Sequence, residues 1–166
     1  MFTPKSMGAA ILHLSSHAFT KICLFYGMGS IYSLKRTNKI TDLIGVAEEM
    51  PKTSFIILLA SLSLIGIPPF GGFISKFYII LAAAEDNQKL VLLTLGLSTL
   101  LSGLYLIRVV TLLYKPEVVN YSNIAPIILE KKLPRLMLFS LVLCSCGIIF
   151  FYFIHIFIKQ FFIYIT

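Results

Sequence analysis

The chain has 166 residues, of which 58% are hydrophobic and only 13% charged, and its mean hydropathy is +0.92. Those values exclude an ordinary soluble domain and predict an all-α integral membrane protein with about four spanning helices of roughly 20 residues or more. The net charge of +7 does not indicate nucleic-acid binding, because most basic residues flank apolar segments, where they set orientation in a bilayer.

Met1 to Ser6 hold one basic residue and lack a signal-like cleavage pattern, so no removable leader is expected. The first predicted span runs over about residues 8–34. Within it His13, His17 and Lys21 follow one another at intervals of four, which at helical spacing confines them to about 80° of arc. Each centrally placed ionisable group costs roughly 2.5 to 3.5 kcal/mol on insertion scales, so such a row implies a hydrated, protein-lined interior. Both side-chain types carry exchangeable protons, and Ser15, Ser16 and Thr20 beside them can hold water. A lone intramembrane histidine is commonly a packing residue, but the central position and company of His17 and Lys21 favour a role in ion passage.

Lys35, Arg36 and Lys39 close this span, and Asp42, Glu48 and Glu49 are read as members of a solvated loop. The second span, about residues 53–84, is too interrupted for one straight helix. Gly66, Pro68, Pro69, Gly71 and Gly72 remove two backbone donors and add hinges, which predicts a break near Pro68-Pro69. Carbonyls and half-helix ends between Ile67 and Phe73 would then be open to water or a cation, with Lys76 eight residues beyond Pro68. A third span follows over about 90–114, with Arg108 inside it.

The last span covers about 136–158, with His155 near its end. Residues 35–52 and 115–135 hold four basic residues each, against one in 85–89, so the basic connections are expected on the cytoplasmic side and both termini outside. The stretch from Val118 to Pro134, broken by Pro126, is consistent with an interfacial segment. Cys23, Cys144 and Cys146 are read as small buried residues, without ligand spacing; no metal site is expected. No nucleotide, flavin or quinone motif occurs, so no cofactor and no catalytic chemistry are expected of this chain.

Three stretches then point to a family: HAFTKICLFYGMGSIY from His17 to Tyr32, IGVAEEMPKTSF, and LSLIGIPPFGGFISKFYIILAAAE. Together they resemble the antiporter-like membrane subunits, which include the D component of the Mrp-type monovalent cation/proton antiporters and the proton-pumping subunits of respiratory complex I. The resemblance covers roughly residues 8 to 115 and is carried by the histidine-lysine helix followed by the GIPP-to-lysine broken helix. It implies that His13, His17 and Lys21 are proton-relay residues, and that Lys76 exchanges protons with one aqueous side. Thr20 departs from the family pattern, standing at a position commonly aromatic or apolar.

The D component of the Mrp type is the nearer likeness, with a complex I (NADH:quinone oxidoreductase) proton-pumping subunit as the alternative. The single membrane domain, residues 1–166, is expected to correspond to the last four helices of such a subunit, that is, to its C-terminal third. The implied partners are the preceding N-terminal helices, which complete an inverted-repeat pair, the other subunits of a membrane antiporter or complex I-like assembly, and the lipid bilayer. The transported ions would be protons, with Na+ or K+ exchanged where the assembly is an antiporter. The expected location is a bacterial inner membrane or, as the alternative, the mitochondrial inner membrane. In a complex I-like assembly the chain would be a translocase component. Two competing readings stand beside this one: a remnant with only structural packing, and a small channel formed by oligomerisation. The coding sequence upstream discriminates the remnant, and unaided proton conduction would indicate the channel.

Overall fold

A computed structural model describes residues 4–116 and 129–165, with side chains over 6–116 and 129–154. Among them every regular element is helical. They are α1 (Pro4–Lys35), α2 (Val46–Glu49), α3 (Pro51–Ile65), α4 (Gly71–Glu85), α5 (Lys89–Tyr114) and α6 (Arg135–Ile165), with 3-10 turns at Ile40–Leu43 and Leu129–Lys132. Helix α1 is the centre of the packing, lying against α3, α4 and α6, while α5 rests on α3 and α4.

The interruption falls where the sequence predicts it. Helix α3 ends at Gly66, whose φ of 93° lies in the left-handed region, and the N–H groups of Gly66 and Ile67 both return to Leu62 O at 3.0 and 3.1 Å. A glycine in that conformation followed by proline is an efficient stop, because the chain can neither continue the helix nor donate from the proline nitrogens. The Pro68-Pro69 peptide bond is cis, and α4 starts at Gly71. The two halves then pack backbone to backbone: a Cβ at Gly72 would stand 1.9 Å from Ser63 O.

The opening of α3 is stabilised from far along the chain. Met50 offers no side-chain cap and Pro51 occupies the first turn, so the free N–H groups there need an external acceptor. Glu130 supplies it. Its carboxylate, 5% exposed, accepts from the Thr53 N–H and hydroxyl at 2.8 and 2.9 Å and from the Lys52 N–H at 3.3 Å. An anion at a helix N-terminus also complements the helix dipole.

One apolar cluster, including Ile31, Met50, Ile57, Leu113 and Leu133, closes the end of the bundle that carries the basic connections. A second, including Cys23, Ala60, Phe70 and Ile148, fills the middle. The outer surface is apolar as well. Lys89–Tyr114 and Arg135–Ile154 are long and apolar enough to cross a membrane by length and composition, yet only 11% and 17% of their apolar stretches are buried within the chain. Leu93, Leu100, Leu104, Phe139, Leu143 and Phe150 are all more than half exposed. Side chains of this kind on the outside require hydrocarbon or another protein around them.

Several local expectations need correction. Glu49 is not a free loop carboxylate: it sits on the short helix α2 and pairs with Lys35 at 2.8 Å. Asp42 is exposed as expected, and the hydroxyls of Thr37 and Thr41 hold its carboxyl below the usual carboxylate range. Cys23 is buried and Cys144 half-buried, but Cys146 is exposed on α6, because positions two apart on a helix point to nearly opposite faces. The segment around Pro126 and the side chain of His155 lie outside the described residues.

Candidate functional site

The site is built where α1 crosses the broken pair α3 and α4. Small and hydroxyl-bearing residues let these helices approach: Ser16 and Thr20 on α1, Ser63 on α3, and Gly71, Gly72 and Ser75 on α4 are all buried. The Thr20 hydroxyl lies 2.8 Å from Ser16 O, to which it donates, and 3.2 Å from the Ser63 hydroxyl across the helix interface. Ser16 donates to His13 O at 3.2 Å and Ser15 to Ile11 O at 2.9 Å, so these hydroxyls already have protein acceptors. Ser54 and Ser61 on α3 are different, since their hydroxyls are buried without a partner among the described residues. Groups of this kind are the ones that ordered water satisfies.

Lys76 leaves α4 towards the break. Its ammonium donates to Leu64 O at 2.9 Å, to Ile65 O at 3.1 Å and to the Thr99 hydroxyl on α5 at 3.4 Å. An ammonium has three N–H groups, and three acceptors stand around this one. Two of them are carbonyls that α3 leaves unpaired at its C-terminus, where the helix dipole also favours a cation. Gly66 makes room, since a Cβ there would sit 3.2 Å from the Lys76 side chain. The carbonyls that matter are therefore those of Leu64 and Ile65, upstream of the expected Ile67 to Phe73 stretch. Within that stretch Ile67 O and Phe70 O accept from the Phe70 and Phe73 N–H groups, which form local turns.

The row on α1 does not run straight along the packed face. Ser16, Thr20 and Gly27 mark the buried side of the helix, and each step of four residues rotates by about 40° relative to it. His13 is half-buried and its Nδ1 lies 2.9 Å from the Ser75 hydroxyl. His17 is half-buried one step further round, with its ring centroid 5.6 Å from that of His13. Lys21 is exposed on the open side, beside Leu14 and Phe25, which are 72% and 74% exposed. The row thus begins against α4 and ends on a face that the described residues leave uncovered.

The structure brings His13 to Ser75, the neighbour of Lys76, but Lys76 itself turns away towards α3 and α5. Arg108 is exposed on α5, apart from this junction. Ser75, Thr99 and Glu130 are contacts that sequence reasoning did not find.

Residues 1–102 match the family described as NADH:quinone oxidoreductase/Mrp antiporter, TM. The NADH-quinone oxidoreductase subunit N of Desulforudis audaxviator is 37% identical over 101 residues, which is 61% of this chain and 20% of that protein. A hydrogenase-4 component F homolog from Methylacidiphilum infernorum is 36% identical over 99 residues, 59% of this chain and 21% of the relative. The NADH-quinone oxidoreductase subunit N of Azobacteroides pseudotrichonymphae is 30% identical over 148 residues, 88% of this chain and 30% of the relative. The chain spans between a fifth and three tenths of the length of these curated relatives. With the family model covering well over half of its residues, the chain belongs to the NADH:quinone oxidoreductase/Mrp antiporter family of integral membrane subunits.

Proposed function

We propose that this chain forms the C-terminal bundle of a proton-translocating antiporter-like subunit and contributes half of a transmembrane proton path. In this reading α1, the broken pair α3 and α4, α5 and α6 make four spans, with the basic connections on the cytoplasmic side. Neither α3 nor α4 is long enough alone: 15 residues each give about 22 Å of helix, against a hydrocarbon core of about 30 Å. End to end, with the break at mid-depth, they span it.

The observation that carries the proposal is the placement of the basic groups. Lys76 is held by carbonyls that are free to accept only because the helix is broken, and the α1 row leads from α4 to an open face. His13, His17 and Lys21 relay protons along α1, and Lys76 exchanges them with one aqueous side. To release its proton Lys76 must let go of acceptors on α3 and α5, so its exchange is coupled to the geometry of the break. Lys21 faces the helices that make up the rest of the relatives' length, whether these belong to the same polypeptide or to another. An exposed lysine among apolar neighbours would be costly against lipid, so a polar partner there is expected.

The family description covers both Mrp antiporters and quinone oxidoreductases. Mrp-type exchange of protons for Na+ or K+ fits the motifs, while the names of the relatives above favour a second reading, assembly with a redox module. The two share the same test in this chain. Lys76→Ala in the assembled complex should reduce proton transport to background while the chain remains inserted, measured by dye quenching in membrane vesicles. Undiminished coupled transport by that variant would reject the proposal. Loss of Na+ or K+ exchange alongside protons selects the antiporter, and loss of quinone-dependent proton pumping selects the redox-driven assembly.

A further inference from the structure

Ser75 is buried on α4, and its hydroxyl makes two contacts at once. It lies 3.1 Å from Gly72 O, to which it donates, and 2.9 Å from His13 Nδ1. A serine hydroxyl has a single proton, and a carbonyl oxygen can only accept. Both contacts are hydrogen bonds together in only one arrangement: the Ser75 proton goes to Gly72 O, and the His13 ring donates from Nδ1. With the ring proton on Nε2 instead, Nδ1 would need the serine proton and the Gly72 contact would be lost.

We infer that Ser75 is a positioning residue which fixes His13 in its Nδ1–H tautomer and so leaves Nε2 as the basic ring atom. This is the tautomer that histidine disfavours in water, so it has to be imposed by the contact. The bond to Ser75 cannot itself be a route onward. Its hydroxyl proton is given to a peptide carbonyl, which does not pass a proton further. A proton joining neutral His13 binds at Nε2, giving an imidazolium that keeps Nδ1–H on Ser75, and leaves from the same nitrogen. Exchange therefore passes through Nε2, and the His17 ring stands beside that of His13, its centroid 5.6 Å away. The inference bears on the relay proposed above, but its test does not depend on transport.

The chain has three histidines, which makes ring-labelled histidine tractable by 15N–13C NMR of the full chain in lipid bilayers. Spectra are recorded at a pH well above the usual imidazole range, and His13 is assigned by the signals lost in His13→Gln. The expected wild-type result is a protonated, pyrrole-type Nδ1 and a pyridine-type Nε2 at His13. Ser75→Thr, which keeps the hydroxyl, should preserve that pattern, and Ser75→Ala should shift His13 towards the Nε2–H form. A wild-type His13 protonated at Nε2 overturns the inference, as does an Nδ1–H pattern that persists in Ser75→Ala. Should Ser75→Ala fail to insert, the wild-type and Ser75→Thr spectra decide alone. The Nδ1–H form in a complex without proton flux would uphold the tautomer and refute the relay.

Discussion

Charge and geometry at Lys76 make different demands, and a substitution separates them. Lys76→Arg retains a cation, but guanidinium does not release its proton and is too broad and planar to replace an ammonium among Leu64 O, Ile65 O and Thr99. Transport by this variant should be as low as that of Lys76→Ala, measured in the same vesicles, whereas a purely electrostatic role would leave it near the wild type. The α1 residues were legible because a spacing of four maps directly onto one side of a helix, and Lys76 because it follows the proline break at a short interval. Where each side chain ends was not legible. The drift of the row from His13 to Lys21 depends on which face of α1 is packed, and that is decided by Ser16, Thr20 and Gly27 meeting residues of other helices. Ser75 carried no signal at all, since a serine ahead of a lysine in an apolar helix is an ordinary sequence feature.

The elements near the site are stabilised at both ends of α3, and each end gives a prediction. Glu130→Ala leaves the Lys52 and Thr53 N–H groups without their acceptor and should cost about 1–3 kcal/mol in detergent unfolding. Glu130→Gln keeps an acceptor oxygen and should lose less. At the other end Gly72→Ala pushes a methyl into Ser63 O and should cost about 1–3 kcal/mol or more, whereas Gly96→Ala, which meets nothing within 4 Å, should be neutral or stabilising. Thermal unfolding of the pair of variants measures the contrast. In the connection after α1, Asp42 contributes a contact that is present above the ordinary carboxylate pKa and is lost as pH falls through its lowered one. Thr37→Val should therefore raise the Asp42 titration midpoint observed by NMR. Pro68, Pro69 and the surrounding glycines announce the break because their backbone effects are local. The cap on α3 was hidden because its acceptor lies 77 residues away from Thr53.

At the scale of the molecule, the basic flanks meet at one end, where Lys35 pairs with Glu49 and Glu130 reaches the start of α3. The opposite demand comes from the open side of α1, where Lys21 stands among exposed apolar residues. Membrane class and the helical layout followed from composition and apolar segment lengths, while the distinction between an antiporter and a redox-driven assembly did not, because the family to which these segments belong spans both. A proton path shared between this bundle and further helices is the central claim. Its most direct test is proton flux in liposomes holding either this chain alone or the chain assembled with the helices that complete a full-length relative. The account predicts no flux for the chain alone and Lys76-dependent flux for the assembly. Proton conduction by the isolated chain, or flux through the assembly that is indifferent to Lys76, would contradict it.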